Sequence, residues 1–190
     1  MSKDDDRELV HTRQITCRAF RLKSGFLEIE ATVTDEKGQQ VPFRSRPPVR
    51  VGEFMHHMSL SLTIDNDYVI QDVKADTLKA PWAMCGGTDA AYRRLVGLRI
   101  GAGFSRKVKE LLGGTQGCTH VTELLMQAAN TYMQASWPDR IARQMAIDPD
   151  PRRWPEKNTL AFVDKCHAWR QDGDTMLREY PELVPPKKQA

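Results

Sequence analysis

In separate stretches between Arg13 and Asp76 apolar and polar residues alternate with a period of two. RQITCRAFRL (13–22) sets Ile15, Cys17 and Ala19 on one face. FLEIEATVTD (26–35) does the same with Leu27, Ile29, Ala31 and Val33, opposite Glu28, Glu30 and Thr32. Lys23-Ser24-Gly25 lies between them, so the pattern predicts an antiparallel hairpin with one buried face. A second hairpin follows. His56, Met58, Leu60, Leu62 and Ile64 share one face, and His57, Ser59, Ser61 and Thr63 share the other. Asp65-Asn66-Asp67 supplies turn residues, and residues 68–76 return as the partner strand. Residues 42–50, PFRSRPPVR, carry three prolines, which confines them to a loop or an edge.

After Pro81 the period becomes helical. Helices are predicted over about 86–96, 103–111 and 119–137. The third has Val121, Leu124, Leu125, Ala128, Ala129, Tyr132 and Met133 on one stripe, Thr119 as its N-cap, and Pro138 as its end. The Pro-, Asp- and Arg-rich stretch 138–157 reads as a linker or lid. Residues 160–180 read as a last hairpin turning at Asp172-Gly173. The fold class is α+β: an antiparallel sheet of hairpins packed against three helices, with extra N- and C-terminal β-hairpins. One domain is expected over 13–180, with its core in 55–137 and flexible ends at 1–12 and 181–190.

Composition narrows the class. In 190 residues, 40% are hydrophobic and 28% charged, a soluble balance that argues against membrane and disordered classes. No apolar run approaches the roughly 20 residues of a membrane span. The polar start MSKDDDREL does not resemble a signal peptide, so a cytoplasmic location is expected. A net charge of +3 is too small to argue for nucleic acid. The four cysteines, Cys17, Cys85, Cys118 and Cys166, form no CxxC and are expected as reduced thiols.

The scarce Cys and His carry the candidate chemistry. His56 opens the strongest strand, Cys85 sits between sheet and first helix, and Gly117-Cys118-Thr119-His120 opens the long helix. All lie at element ends, where distant segments converge. Two thiols and two imidazoles suit a single Zn or Fe ion. The bland reading, lone Cys and His as packing residues, stands beside it, and Cys17 and His11 are read that way. A Cys118/His120 nucleophile pair is a further option at a helix N-terminus. Asp89 is a candidate to orient a ligand histidine. Arg44 and Arg46 are candidates to hold an acidic substrate, with a solvated loop as the alternative. The run Gly113–Gly117 lacks the Lys-Ser/Thr of a P-loop.

Two resemblances follow from these residues. His56-His57-Met58, Pro81 with Cys85, Tyr92, Gly103-Phe104, GCTHVTELL and Cys166-His167-Ala168-Trp169 resemble the bacterial domain-of-unknown-function family 2889 over about 13–181. That family opens its strand His-Asp-Met. His57 stands at the Asp position here, which makes His56 the stronger candidate. The resemblance implies bacterial catabolism of small organic acids, aromatic ones included. Residues 55–135 also resemble the iron–sulfur cluster scaffolds of the IscU type in order of elements and ligand types. Here His56 stands where the scaffold has Asp or Cys, and Thr119 separates Cys118 from His120. The resemblance implies the scaffold's fold and the location of its site.

The sequence reading is therefore a metal-binding protein. His56, Cys85, Cys118 and His120 hold one Zn or Fe ion, with Asp89, His57, Arg44 and Arg46 around it and Cys166 and His167 as alternative ligands. The expected activity is hydrolase- or lyase-type chemistry on a small-molecule substrate. A metal or iron–sulfur carrier and a non-metal accessory protein are the alternatives. No nucleic acid or membrane partner is expected, and a homo-oligomer is left open.

Overall fold

The computed structural model describes residues 6–150, 153–154, 163–164 and 166–184. The chain divides into two compact units, Met1–Ser136 and Trp137–Ala190.

The first unit holds the sheet. β1 (His11–Arg21), β2 (Leu27–Lys37), β3 (Phe54–Ile64) and β4 (Ile70–Lys79) pair antiparallel in the order of the sequence. Both hairpins stand where the period-two pattern puts them. The alternation also sets the inner face. Leu27, Ile29, Ala31 and Val33 of β2 and Met58, Leu60, Leu62 and Ile64 of β3 are all buried. Their neighbours along each strand are more exposed, because successive side chains point to opposite faces.

Residues Ala83–Leu95 form a 3-10 helix rather than the expected α-helix. It runs along β4, where Asp89 accepts from the Thr77 N–H at 2.8 Å and from the Thr77 hydroxyl at 2.8 Å. α1 (Phe104–Leu112) and α2 (Thr119–Ala135) follow. α2 buries Val121, Leu124, Leu125, Ala128, Ala129 and Tyr132, the stripe its i, i+3, i+4 spacing dictates. It packs on β1, β2 and β3 and closes one core with their inner faces. Each large apolar side chain sealed there contributes about 1.5–3 kcal/mol relative to exposure. The Gly-rich run before α2 is there for close approach. A Cβ on Gly117 would stand 2.6 Å from the Leu112 carbonyl oxygen, and one on Gly113 2.4 Å from that of Lys109.

The second unit corrects two expectations. Pro138 does not stop helical structure; it sits in the first turn of α3 (Trp137–Ile147), where a missing N–H costs nothing. Residues 138–147 are thus helix rather than linker or lid. Among the described residues the expected C-terminal hairpin is also absent. TMLREY lies largely in a short helix, Asp174–Glu179, and His167–Trp169 is a 3-10 turn. Asp172-Gly173 leads into the helix, and Asp174 supplies the acidic residue its first turn favours. The start of that expected hairpin at Leu160, part of the expected lid, and the ends 1–5 and 185–190 lie outside the described residues. Among the described residues no helix is long and apolar enough to cross a membrane.

Candidate metal centre

The sheet's register builds the site. Ile15 stands opposite Val33, and Val33 opposite Met58, as one apolar row of the inner face. Two residues along each strand, the same row position is Arg13 opposite Asp35 opposite His56. The inner face therefore ends in a polar row. A register shift between Asp35 and Glu36 marks that end of the β2–β3 ladder. The N-terminal turn of α2 crosses there and adds His120 and Glu123, three residues apart and hence on one helical face.

Asp35 is the hub, with a side chain only 5% exposed. His56 Nδ1 lies 2.9 Å from Oδ2, and Arg13 Nη2 donates to the same oxygen at 3.2 Å. Arg13 Nε and His11 Nε2 stand 3.0 and 3.1 Å from Oδ1. Neither is aimed well enough to hydrogen-bond it, so buried Oδ1 is charge-paired but lacks a hydrogen bond. His120 Nε2 is 3.8 Å from Oδ2. Its ring stacks on that of His56, centroids 3.9 Å apart and tilted by 32°. Arg13 reaches outward through Nη1 to Glu123 at 3.0 Å. The His56 imidazole is held below its ordinary value. Burial is the largest cause and the His120 ring adds to it, against the pull of Asp35. The lowered value favours the uncharged imidazole, which is the form that ligates a metal.

Asp35, His56 and His120 each offer a ligand atom, all within 4.8 Å of one another. Ligand atoms about 2.0–2.1 Å from a zinc ion at tetrahedral angles stand about 3.4 Å apart. The Asp35–His56 pair at 2.9 Å would open by about half an ångström, and the Asp35–His120 pair at 3.8 Å would close by slightly less. The third pair, His56–His120, lies within 4.8 Å and would have to come to the same separation. One carboxylate and two imidazoles suit zinc and ferrous iron alike.

Of the residues singled out from sequence, His56 and His120 meet here. Cys118 is a neighbour, its Sγ 3.8 Å from His120 Nδ1, but it lies outside the group of three. Cys85, in the 3-10 segment, is also outside that group. Asp89 is bound to Thr77 on β4. His57 packs edge-on against Phe54, centroids 5.6 Å apart. The Arg46 guanidinium bonds the carbonyls of Pro81 and Pro47 and covers the Phe43 ring, while Arg44 is exposed. Cys166 and His167 belong to the second unit and are exposed. Sequence reasoning missed Asp35 and Arg13, and read His11 as structure. The signal was present: Asp35 continues the inner-face series 27, 29, 31, 33, and an acid at a core position needs a partner.

Comparison with curated proteins and with solved structures found no match to this chain, so the IscU-type resemblance finds no support there. The comparison with family models did. Residues 11–134, covering all four strands and most of α2, match the family described as a protein of unknown function, DUF2889. The chain belongs to that family, domain-of-unknown-function family 2889, whose description names no activity.

Proposed function

We propose that the protein binds a single Zn or Fe ion through Asp35, His56 and His120 and uses it on a small organic molecule. The observation that carries this reading is the three convergent ligand atoms, within 4.8 Å, from two strands and one helix. Three protein donors leave a fourth position for water or substrate, as catalytic sites require. An ion there would polarise a carbonyl or lower the pKa of a bound water. That fits hydrolase- or lyase-type chemistry. A cluster carrier fits less well, because iron–sulfur clusters are held by thiolates and the group of three contains none.

A second reading has its own observation. Arg13 forks onto Asp35 and also holds Glu123, tying β1, β2 and α2 together without any ion. On that reading the cluster is a structural lock.

Metal analysis of protein prepared without a His tag separates them. Near-stoichiometric Zn or Fe that survives dialysis, and is lost in His56→Ala and His120→Ala, supports the metal reading. A brown chromophore with labile sulfide would favour the carrier. Failure of the wild-type protein to retain or rebind either ion would leave only the lock.

A further inference from the structure

His120 has a different neighbour at each ring nitrogen. Nε2 faces Asp35 Oδ2 at 3.8 Å, too far for a hydrogen bond between nitrogen and oxygen. Nδ1 faces the Cys118 sulfur at 3.8 Å, within the reach of the larger atom. A neutral imidazole carries one N–H and one lone pair, and the hydrogen bond at one nitrogen decides the role of the other.

Cys118 is unusual where it stands. It, rather than the expected Thr119, is the N-cap residue of α2, a position that favours Ser, Thr, Asp or Asn because their oxygens bond the free N–H groups of the first turn. Here the side chain makes no capping hydrogen bond and turns to His120 instead. Its backbone is held on both sides by one buried hydroxyl. Tyr92 Oη accepts from the Cys118 N–H at 3.0 Å and donates to the Cys118 carbonyl at 2.8 Å. Thr122 Oγ1, 2.9 Å away, completes the hydroxyl's partners. Tyr92 is fully buried, so water does not compete for these hydrogen bonds.

We propose that Cys118, fixed by Tyr92, accepts the Nδ1–H of His120 and so turns the Nε2 lone pair toward Asp35 and His56. Cys118 is then a positioning residue for the proposed ion rather than a ligand. The stacked His56 ring sets the plane of His120, and the sulfur sets its rotation within that plane. The consequence for metal affinity rests on the metal reading; the orientation of His120 does not. An ion on Nε2 requires the proton on Nδ1, and outer partners of this kind change metal affinity about 10- to 100-fold when removed.

The test is Cys118→Ser, with Cys118→Ala as a second variant. A serine is the better cap, so Cys118→Ser should melt no lower than wild type, which removes loss of fold as an explanation. Nitrogen-15 NMR of the His120 ring in metal-free protein reports the tautomer. The expected result is Nδ1–H in wild type and loss of that preference in both variants. Zinc titration should show at least a tenfold weaker Kd in both. Cobalt titration of wild type should show no sulfur-to-metal charge-transfer band. An Nε2–H tautomer in wild type would overturn the proposal. So would variants with unchanged tautomer and affinity, or a charge-transfer band, which would make Cys118 a ligand. Wild type that binds neither zinc nor cobalt would overturn the metal reading instead, and the tautomer would still decide what Cys118 does to His120.

Discussion

Asp35→Asn keeps the side chain's shape and removes its charge, which tests the hub of the site directly. The carboxylate is 5% exposed and faces Arg13, His56 and His11 at 2.9–3.2 Å. Removing one partner of a buried pair costs about 3–5 kcal/mol, because the other charge is left behind unpaired. Arg13 is not fully stranded, since it is 33% exposed and keeps Glu123. That remaining pair is surface-like and worth about 0–1 kcal/mol. We therefore expect a loss of about 2–3 kcal/mol, below the buried-pair range. For a chain of this length that lowers Tm by about 4–12 °C. Urea denaturation of metal-free protein followed by circular dichroism measures it. The same melts with zinc add a second arm. Ligand at about 100 times its Kd stabilises wild type by about 2.7 kcal/mol, and Asp35→Asn should show no such gain. A variant that loses under about 1 kcal/mol and still gains stability from zinc would refute both the hub and the ligand role.

Three further outcomes follow from the same geometry. Leu124→Ala removes a fully buried side chain where α2 meets the sheet, and should cost about 2–5 kcal/mol in chemical denaturation. Gly117→Ala places a Cβ 2.6 Å from the Leu112 carbonyl oxygen and 3.1 Å from its Cβ. Backbone must move to admit it, so a loss of about 1–3 kcal/mol is expected in a thermal melt. Burial holds the Tyr92 phenol above its ordinary value of 10.0, so the fold favours the neutral form. That contribution is fully present below about pH 10 and is lost as pH rises through the raised value. Wild type should therefore lose more stability than Tyr92→Phe between about pH 8 and about pH 11, and parallel losses would remove this role for Tyr92.

Much of the first unit was legible because β2, β3 and α2 each bury one face, although edge strand β1 buries none of its residues fully. Period two in 13–35 and 56–76 yields β1 to β4 within a few residues, and the stripe from Val121 to Tyr132 yields α2. The candidate site was half legible. His56 and His120 were singled out because each opens an element, and element ends at one rim of a sheet can meet. Cys118 and Cys85 had the same credentials by position, yet the group of three contains neither. Spacing along a chain says nothing about which way a side chain turns at a cap. In the second unit short segments failed. TMLREY alternates well enough for a strand, but no partner strand pairs it among the described residues, and local backbone bonding makes it a helix.

By itself the sequence determined the sheet's inner face, the helical stripe that covers it, and the family to which the chain belongs, because burial periodicity and motif are local properties of the chain. Only the tertiary structure decided that Arg13, Asp35 and His56 form one row and that α2 lays His120 across it. That depends on the register between strands and on the seat of a helix, which are set by packing between segments up to about a hundred residues apart. An acid at the end of an apolar series is an anomaly in one strand. It becomes a candidate site only when its neighbours on two other strands and a helix are known.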